Sequence, residues 1–231
     1  MTQIDKNFQD VIARIRLAAS NANRNIDTIQ LLAVSKHCSS IKIMEAWQCG
    51  QHCFGENFVQ EALSKQTELT HLAIDWHFIG PIQSNKTRLI AESFAWVHSV
   101  DRLKIAQRLD AARPAHLPPL NILIQVNVSG EASKGGVEPG AETELAGAIA
   151  NLPRIRLRGL MTIAEPTNDH ARLRQQFALL RQLHTALQTD HPEIDTLSMG
   201  MSADLELAIA EGATLIRVGT DLFGARKSVD K

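Results

Sequence analysis

The sequence predicts an α/β fold, a single (β/α)8 barrel of the TIM type, and three observations predict it. Eight short apolar runs recur along the chain: "IQLLAVSK", "HCFGEN", "DWHFIG", "WVHSV", "NILIQVN", "RGLMTI", "TLSMG" and "TLIRVG". Between them lie segments with apolar residues at i, i+3 and i+4, the period of a helix that buries one face. The runs themselves are nearly continuous in apolar residues, so both faces of the sheet need cover, as in parallel strands alternating with helices. A doubly wound open sheet shares that alternation and stands as the alternative, while eight repeats favour closure.

Taken in order, the chain starts with an amphipathic helix in which Ile4, Phe8, Val11, Ile12 and Ile15 share a face. It occupies residues 1–24, is extra to the eight repeats, and needs a barrel surface to pack on. The first strand runs from Ile29 to Val34 and ends at Lys36. Helical patterns follow in "IKIMEAW", "RLKIAQRLDAA", Leu173 to Leu187, and "ADLELAIAEGA". The segments "RPAHLPPL" and "SGEASKGGVEPG" read as loops, and no linker or low-complexity tract divides the chain, so residues 1–231 read as one domain.

Composition excludes several function classes. A formal charge of -1 from 24 basic and 25 acidic residues carries no bias towards polyanions, which argues against nucleic acid as a partner; the basic tail "ARKSVDK" is too short to change that. Cys38, Cys49 and Cys53 match no paired C-x-x-C zinc spacing and read as free thiols of a reducing compartment. The opening "MTQIDKNFQD" lacks the apolar stretch of a signal peptide, and no run approaches the ~18 apolar residues of a membrane span. The expectation is a soluble, cytoplasmic protein with no membrane partner and no metal.

In a barrel, chemistry gathers at the carboxyl ends of the strands. The polar residues there are Lys36, Asn57, His77, Asn127, Ser202 and Arg217. Each also has a structural reading. Lys36 can snorkel into solvent, Asn57 can cap the next helix, and His77 can be a hydrogen-bonded core histidine. Asn127 can shape a Ser-Gly turn, and Ser202 can cap the helix whose first turn holds Asp204.

The last two units are more specific. "MGMS" opens a helix, and "RVGTDLFG" reads as a glycine turn followed by a short helical piece, the place where barrels often bind phosphate. Gly200, Gly219 and Gly224 permit close backbone approach, and the hydroxyls of Ser202 and Thr220 can donate to phosphate oxygens. Arg217 lies two residues before Gly219, so strand alternation turns it to the barrel interior. A strand-end lysine, a phosphate cradle and an inward arginine together suggest pyridoxal 5'-phosphate (PLP), whose aldehyde takes a lysine as a Schiff base and whose ring nitrogen needs a partner. That link also relieves the cost of holding an ammonium at the end of an apolar strand.

The blocks "AVSK", "FGENFVQEA", "WHFIGPIQSNK", "GLMTI", "SMGMSADLELAI" and "RVGTDLFGAR", in this order, resemble the pyridoxal phosphate homeostasis protein family over nearly the whole chain. The resemblance implies a fold type III barrel related to the N-terminal half of bacterial alanine racemase, with Lys36 as the Schiff-base lysine. It further implies phosphate contacts from Ser202, Gly219 and Thr220, with Arg217 facing the ring nitrogen. Proteins of this kind are thought to buffer PLP or deliver it to apo PLP-dependent enzymes, without established turnover. "KHCSS" departs from the Thr and Pro usual after the lysine, and Phe58 replaces a common tyrosine. An amino-acid racemase and a Schiff-base aldolase are the competing functions. Racemization in the related enzymes uses a lysine and a tyrosine, and this chain has no tyrosine.

Overall fold

Each of the eight apolar runs forms a strand in the computed structural model, which describes residues 2–131 and 134–224. The strands are β1 (Gln30–Val34), β2 (Cys53–Glu56), β3 (Asp75–Phe78), β4 (Trp96–Val100), β5 (Leu120–Gln125), β6 (Ile155–Met161), β7 (Thr196–Ser198) and β8 (Leu215–Val218). They pair in sequence order as a closed barrel, and the pairs, including β8 with β1, are parallel. The open-sheet alternative is therefore excluded. The tail "ARKSVDK" lies outside the described residues.

Helices follow the strands: α2 (Ser40–Gln48), α3 (Val59–Glu68), α4 (Thr87–Ser93), α5 (Leu103–Ala112), α6 (Ala141–Ile149), α7 (His170–Asp190), α8 (Leu205–Ala210) and the short α9 (Thr220–Phe223). The extra helix α1 (Gln3–Asn21) starts where Thr2 Oγ1 accepts the Asp5 N–H at 3.2 Å. Ile4, Phe8, Val11 and Ile15 are buried on its apolar face, which packs on α2, α8 and α9, and Ile12 is partly buried.

Strand alternation sorts side chains between two cores. Leu31 and Ala33 join the large apolar layer between barrel and helices, while Leu32 packs with Cys53, Leu215 and Ile79 in a small separate cluster. On β8, Ile216 and Val218 belong to the outer layer, which leaves Leu215 and Arg217 facing inward. The interior thus begins apolar at the amino ends and turns polar towards the carboxyl ends, where the loops converge.

Candidate functional site

Lys36 lies two residues beyond β1, in the turn that follows the strand, and it is half-buried. Asn57 follows β2, also half-buried, and its Oδ1 is buried with no hydrogen-bond partner among the described residues. It does not cap α3, whose N-cap is Phe58. Gly80 makes this corner possible, because a Cβ there would lie 2.1 Å from the Asn57 carbonyl oxygen. Asn127 shapes its own loop: Nδ2 donates to the Glu131 carbonyl at 3.0 Å, and Oδ1 accepts from Ser129 Oγ at 3.1 Å.

Arg217 is buried inside the barrel. Its Nη1 donates to Ser198 Oγ at 2.7 Å and its Nη2 to the Thr162 carbonyl at 2.7 Å. Ser198 Oγ lies 3.1 Å from His98 Nδ1, and His98 Nε2 lies 2.9 Å from His77 Nδ1. His77 is thus a core histidine below the mouth, stacked on Trp96 at 5.3 Å between ring centroids.

Hydrogen-bond bookkeeping assigns a direction to this chain. Ser198 Oγ accepts from Arg217, so its own proton goes to His98 Nδ1, and His98 then donates from Nε2 to His77 Nδ1. The opposite direction would leave the Ser198 proton without an acceptor. In either direction His77 Nε2 ends the chain unpartnered among the described residues. Burial pushes His77 down to about 3, and burial, with His77 and Arg217 nearby, holds His98 well below its ordinary value. Both rings are therefore neutral at pH 7. Burial also lowers Arg217, to about 10, which still leaves it a cation.

A second buried network lies beyond Lys36. Glu56 ends β2 with its side chain fully buried, and Lys65 of α3 donates to its Oε1 at 2.8 Å and to Glu61 Oε1 at 2.6 Å. Burial pushes the Glu56 carboxyl up, and Lys65 and Ser35 partly offset this.

After β7 and β8, on the other side of β1 from β2, stand the phosphate candidates. Gly219 follows β8 and takes the N-cap position of α9, and Thr220 opens that helix and is exposed. Gly200 adopts φ 92°, and a Cβ there would lie 2.5 Å from Ala208 Cβ, so glycine lets β7 turn into α8. Ser202 sits in that turn, half-buried, and does not cap α8. Asp204 takes the N-cap position, and its Oδ1 accepts the Met201 N–H at 2.6 Å. The longer aspartate side chain reaches back across three residues, and Ser202 stands outside the cap. Arg14 of α1 fastens both loops, donating to the Ser202 carbonyl at 2.9 Å, to Asp221 at 2.5 Å and to Glu206 at 2.8 Å.

Sequence reasoning missed His98, Ser198, Arg14 and the Glu56–Lys65–Glu61 set. Two signals could have found the last set: a carboxylate inside the apolar run "HCFGEN", and Glu61 with Lys65 at the i, i+4 spacing of a helical ion pair.

The site therefore combines a half-buried lysine beyond β1 with an arginine buried on the neighbouring β8 of a closed parallel barrel. The profile of the family described as alanine racemase, N-terminal domain, matches residues 8–227. Alanine racemase from Corynebacterium glutamicum shares the fold, with a TM-score of 0.71 at 14% identity over 96% of this chain and 63% of that one. PipY of Synechococcus elongatus, in a structure with PLP bound, has a TM-score of 0.82 at 39% identity over 96% of this chain and 100% of that one. Proteins named pyridoxal phosphate homeostasis protein are 59% identical in Pseudomonas aeruginosa and 50% identical in Escherichia coli, each over 98% of this chain and 97% and 98% of theirs. The chain belongs to this family of pyridoxal phosphate homeostasis proteins, built on the alanine racemase N-terminal barrel.

Proposed function

We propose that this chain binds PLP at the carboxyl mouth of its barrel, buffers it, and delivers it to apo PLP-dependent enzymes in the cytoplasm, without catalytic turnover of its own. The observation that carries the reading is that Lys36, two residues beyond β1, and the inward Arg217 of β8 belong to strands that are hydrogen-bonded neighbours.

The residues present fit the cofactor. Asn57 Oδ1 is a buried acceptor with no partner among the described residues, and a side chain at Gly219 would come within 3.2 Å of the Val34 carbonyl oxygen. Arg217 directs two N–H groups into the barrel wall and has five in all. When bound, the cofactor supplies an aldehyde that condenses with a primary amine, an aromatic ring nitrogen and a phosphate dianion. Lys36 is the amine, Ser202, Gly219 and Thr220 take the phosphate, and Asn57 borders the ring. His77 enters only indirectly, reaching Arg217 through His98 and Ser198.

Arg217 keeps its proton and offers an N–H to the ring nitrogen, which disfavours protonation there and weakens the electron sink that racemases and transaminases depend on. Lack of any tyrosine removes the usual second base. Both features support a carrier. In the test, loaded protein is mixed with an apo PLP enzyme: activity should return in proportion to the cofactor added, with no racemization of alanine beyond that of free PLP. Sustained turnover of an amino acid, lost in Lys36→Ala, would replace the carrier by an enzyme.

A further inference from the structure

The peptide groups on either side of Lys36 are both held by side chains of α3. The Ser35 carbonyl accepts from Lys65 Nζ at 2.8 Å. On the other side, the His37 N–H donates to Glu61 Oε1 at 2.5 Å. Glu61 and Lys65 are one helical turn apart and paired to each other at 2.6 Å, so a single ion pair brackets Lys36.

The bracket is anchored to the barrel wall. Ser35 donates its N–H to the Gly55 carbonyl at 3.0 Å and its hydroxyl to Glu56 Oε1 at 2.5 Å. Lys65 spends its three N–H groups on the Ser35 carbonyl, Glu56 and Glu61. Its side chain is 6% exposed and that of Glu56 is 0% exposed. Buried charges of this kind give little stability over apolar residues of the same volume, so stability alone is a weak reason for them. The backbone at His37 has φ 62°, a left-handed conformation that a side-chain-bearing residue keeps only where its surroundings hold it. Glu61 holds it by taking the His37 N–H.

We propose that Glu61 and Lys65, backed by Glu56, are positioning residues that fix the backbone of Lys36 so that its amine meets the cofactor aldehyde. The inference rests on the reading of Lys36 as the PLP lysine. It separates attachment of the aldehyde, which needs the bracket, from docking of the phosphate and ring, which does not.

Two ligands separate these steps. PLP can condense with Lys36, whereas pyridoxine 5'-phosphate carries an alcohol in place of the aldehyde and can only dock. Glu61→Ala should weaken PLP binding about tenfold, in keeping with loss of hydrogen bonds to a charged group, and leave pyridoxine 5'-phosphate binding unchanged. Glu61→Gln keeps an oxygen acceptor for the His37 N–H and should restore PLP binding to within about threefold of wild type. Equal weakening towards both ligands would reduce the bracket to a general structural role and overturn the proposal, as would unchanged PLP binding in Glu61→Ala. The parent reading fails on a different result, the absence of a borohydride-reducible link at Lys36 in wild type.

Discussion

Two buried polar networks flank the mouth of the barrel, and they solve the burial problem by opposite means. Outside the wall, beyond Lys36, charges are compensated by charges: Lys65 sits between Glu56 and Glu61. Inside the wall, beneath Arg217, one cation is held by a hydroxyl, a carbonyl and a chain of two neutral histidines. The charged set grips backbone, because a lysine can donate to a carbonyl while paired to carboxylates. The neutral chain leaves Arg217 without a carboxylate within ion-pair distance among the described residues, and Asp204 acts on its charge only from further away. One network fixes position and the other sets electrostatics.

The largest effect should come from breaking the charged side. Lys65→Met leaves Glu56 buried beside Glu61 with no cation, and removal of one partner of a buried pair costs about 3–5 kcal/mol. Urea unfolding at pH 7 measures this. A loss below about 1 kcal/mol, the range of exposed pairs, would show that the network is far more hydrated than its burial implies.

Acid should sharpen the contrast, because the two networks titrate in opposite senses. The folded value of His77, about 3, lies below its unfolded value of about 6.5, so the stability it contributes is present above 6.5 and is lost as pH falls towards 3. Glu56 is shifted up, so the penalty on its ionised form is relieved as pH falls through its raised value towards 4.5. Between pH 7 and 5 the His77 contribution should fall by about 2 kcal/mol. His77→Phe should flatten the dependence of unfolding free energy on pH over that interval. An unchanged slope would mean that the ring takes up its proton as readily in the fold as in the unfolded chain.

Ser198→Ala removes the oxygen that receives Arg217 and should cost about 1.5–3 kcal/mol of stability, with Ser198→Thr recovering part of it by keeping the hydroxyl. Thermal melts of the two variants give the comparison. Arg14→Ala stands at the low end: its ion pairs with Glu206 and Asp221 are exposed enough to contribute less than about 1 kcal/mol. Its consequence should appear in weaker binding of phosphorylated ligands, because the Ser202 turn loses its tie to α1.

The barrel was legible because eight apolar runs alternate with helical periods, and Arg217 was placed correctly because strand parity is rigid. Parity failed to predict partners. His77 stood out in "DWHFIG", yet its neighbour His98 sits 21 residues away on β4, and only the barrel brings the two rings together. Glu61 and Lys65 were missed, since their helical spacing does not say that this helix face lies over the first strand end. Ser202 looked like a cap because serine often is one, but Asp204 sits at the N-cap and closes the turn itself. Local rules place a residue on an element, and tertiary closure decides what it touches.

The central claim is that Lys36, bracketed on both sides, is the lysine that takes the cofactor. Loading the protein with PLP, reducing with borohydride and mapping the peptides tests it directly. A pyridoxyl group should appear on Lys36 and be absent from a folded Lys36→Ala variant. A main adduct on Lys86, Lys134 or Lys65 in the wild-type protein would contradict it.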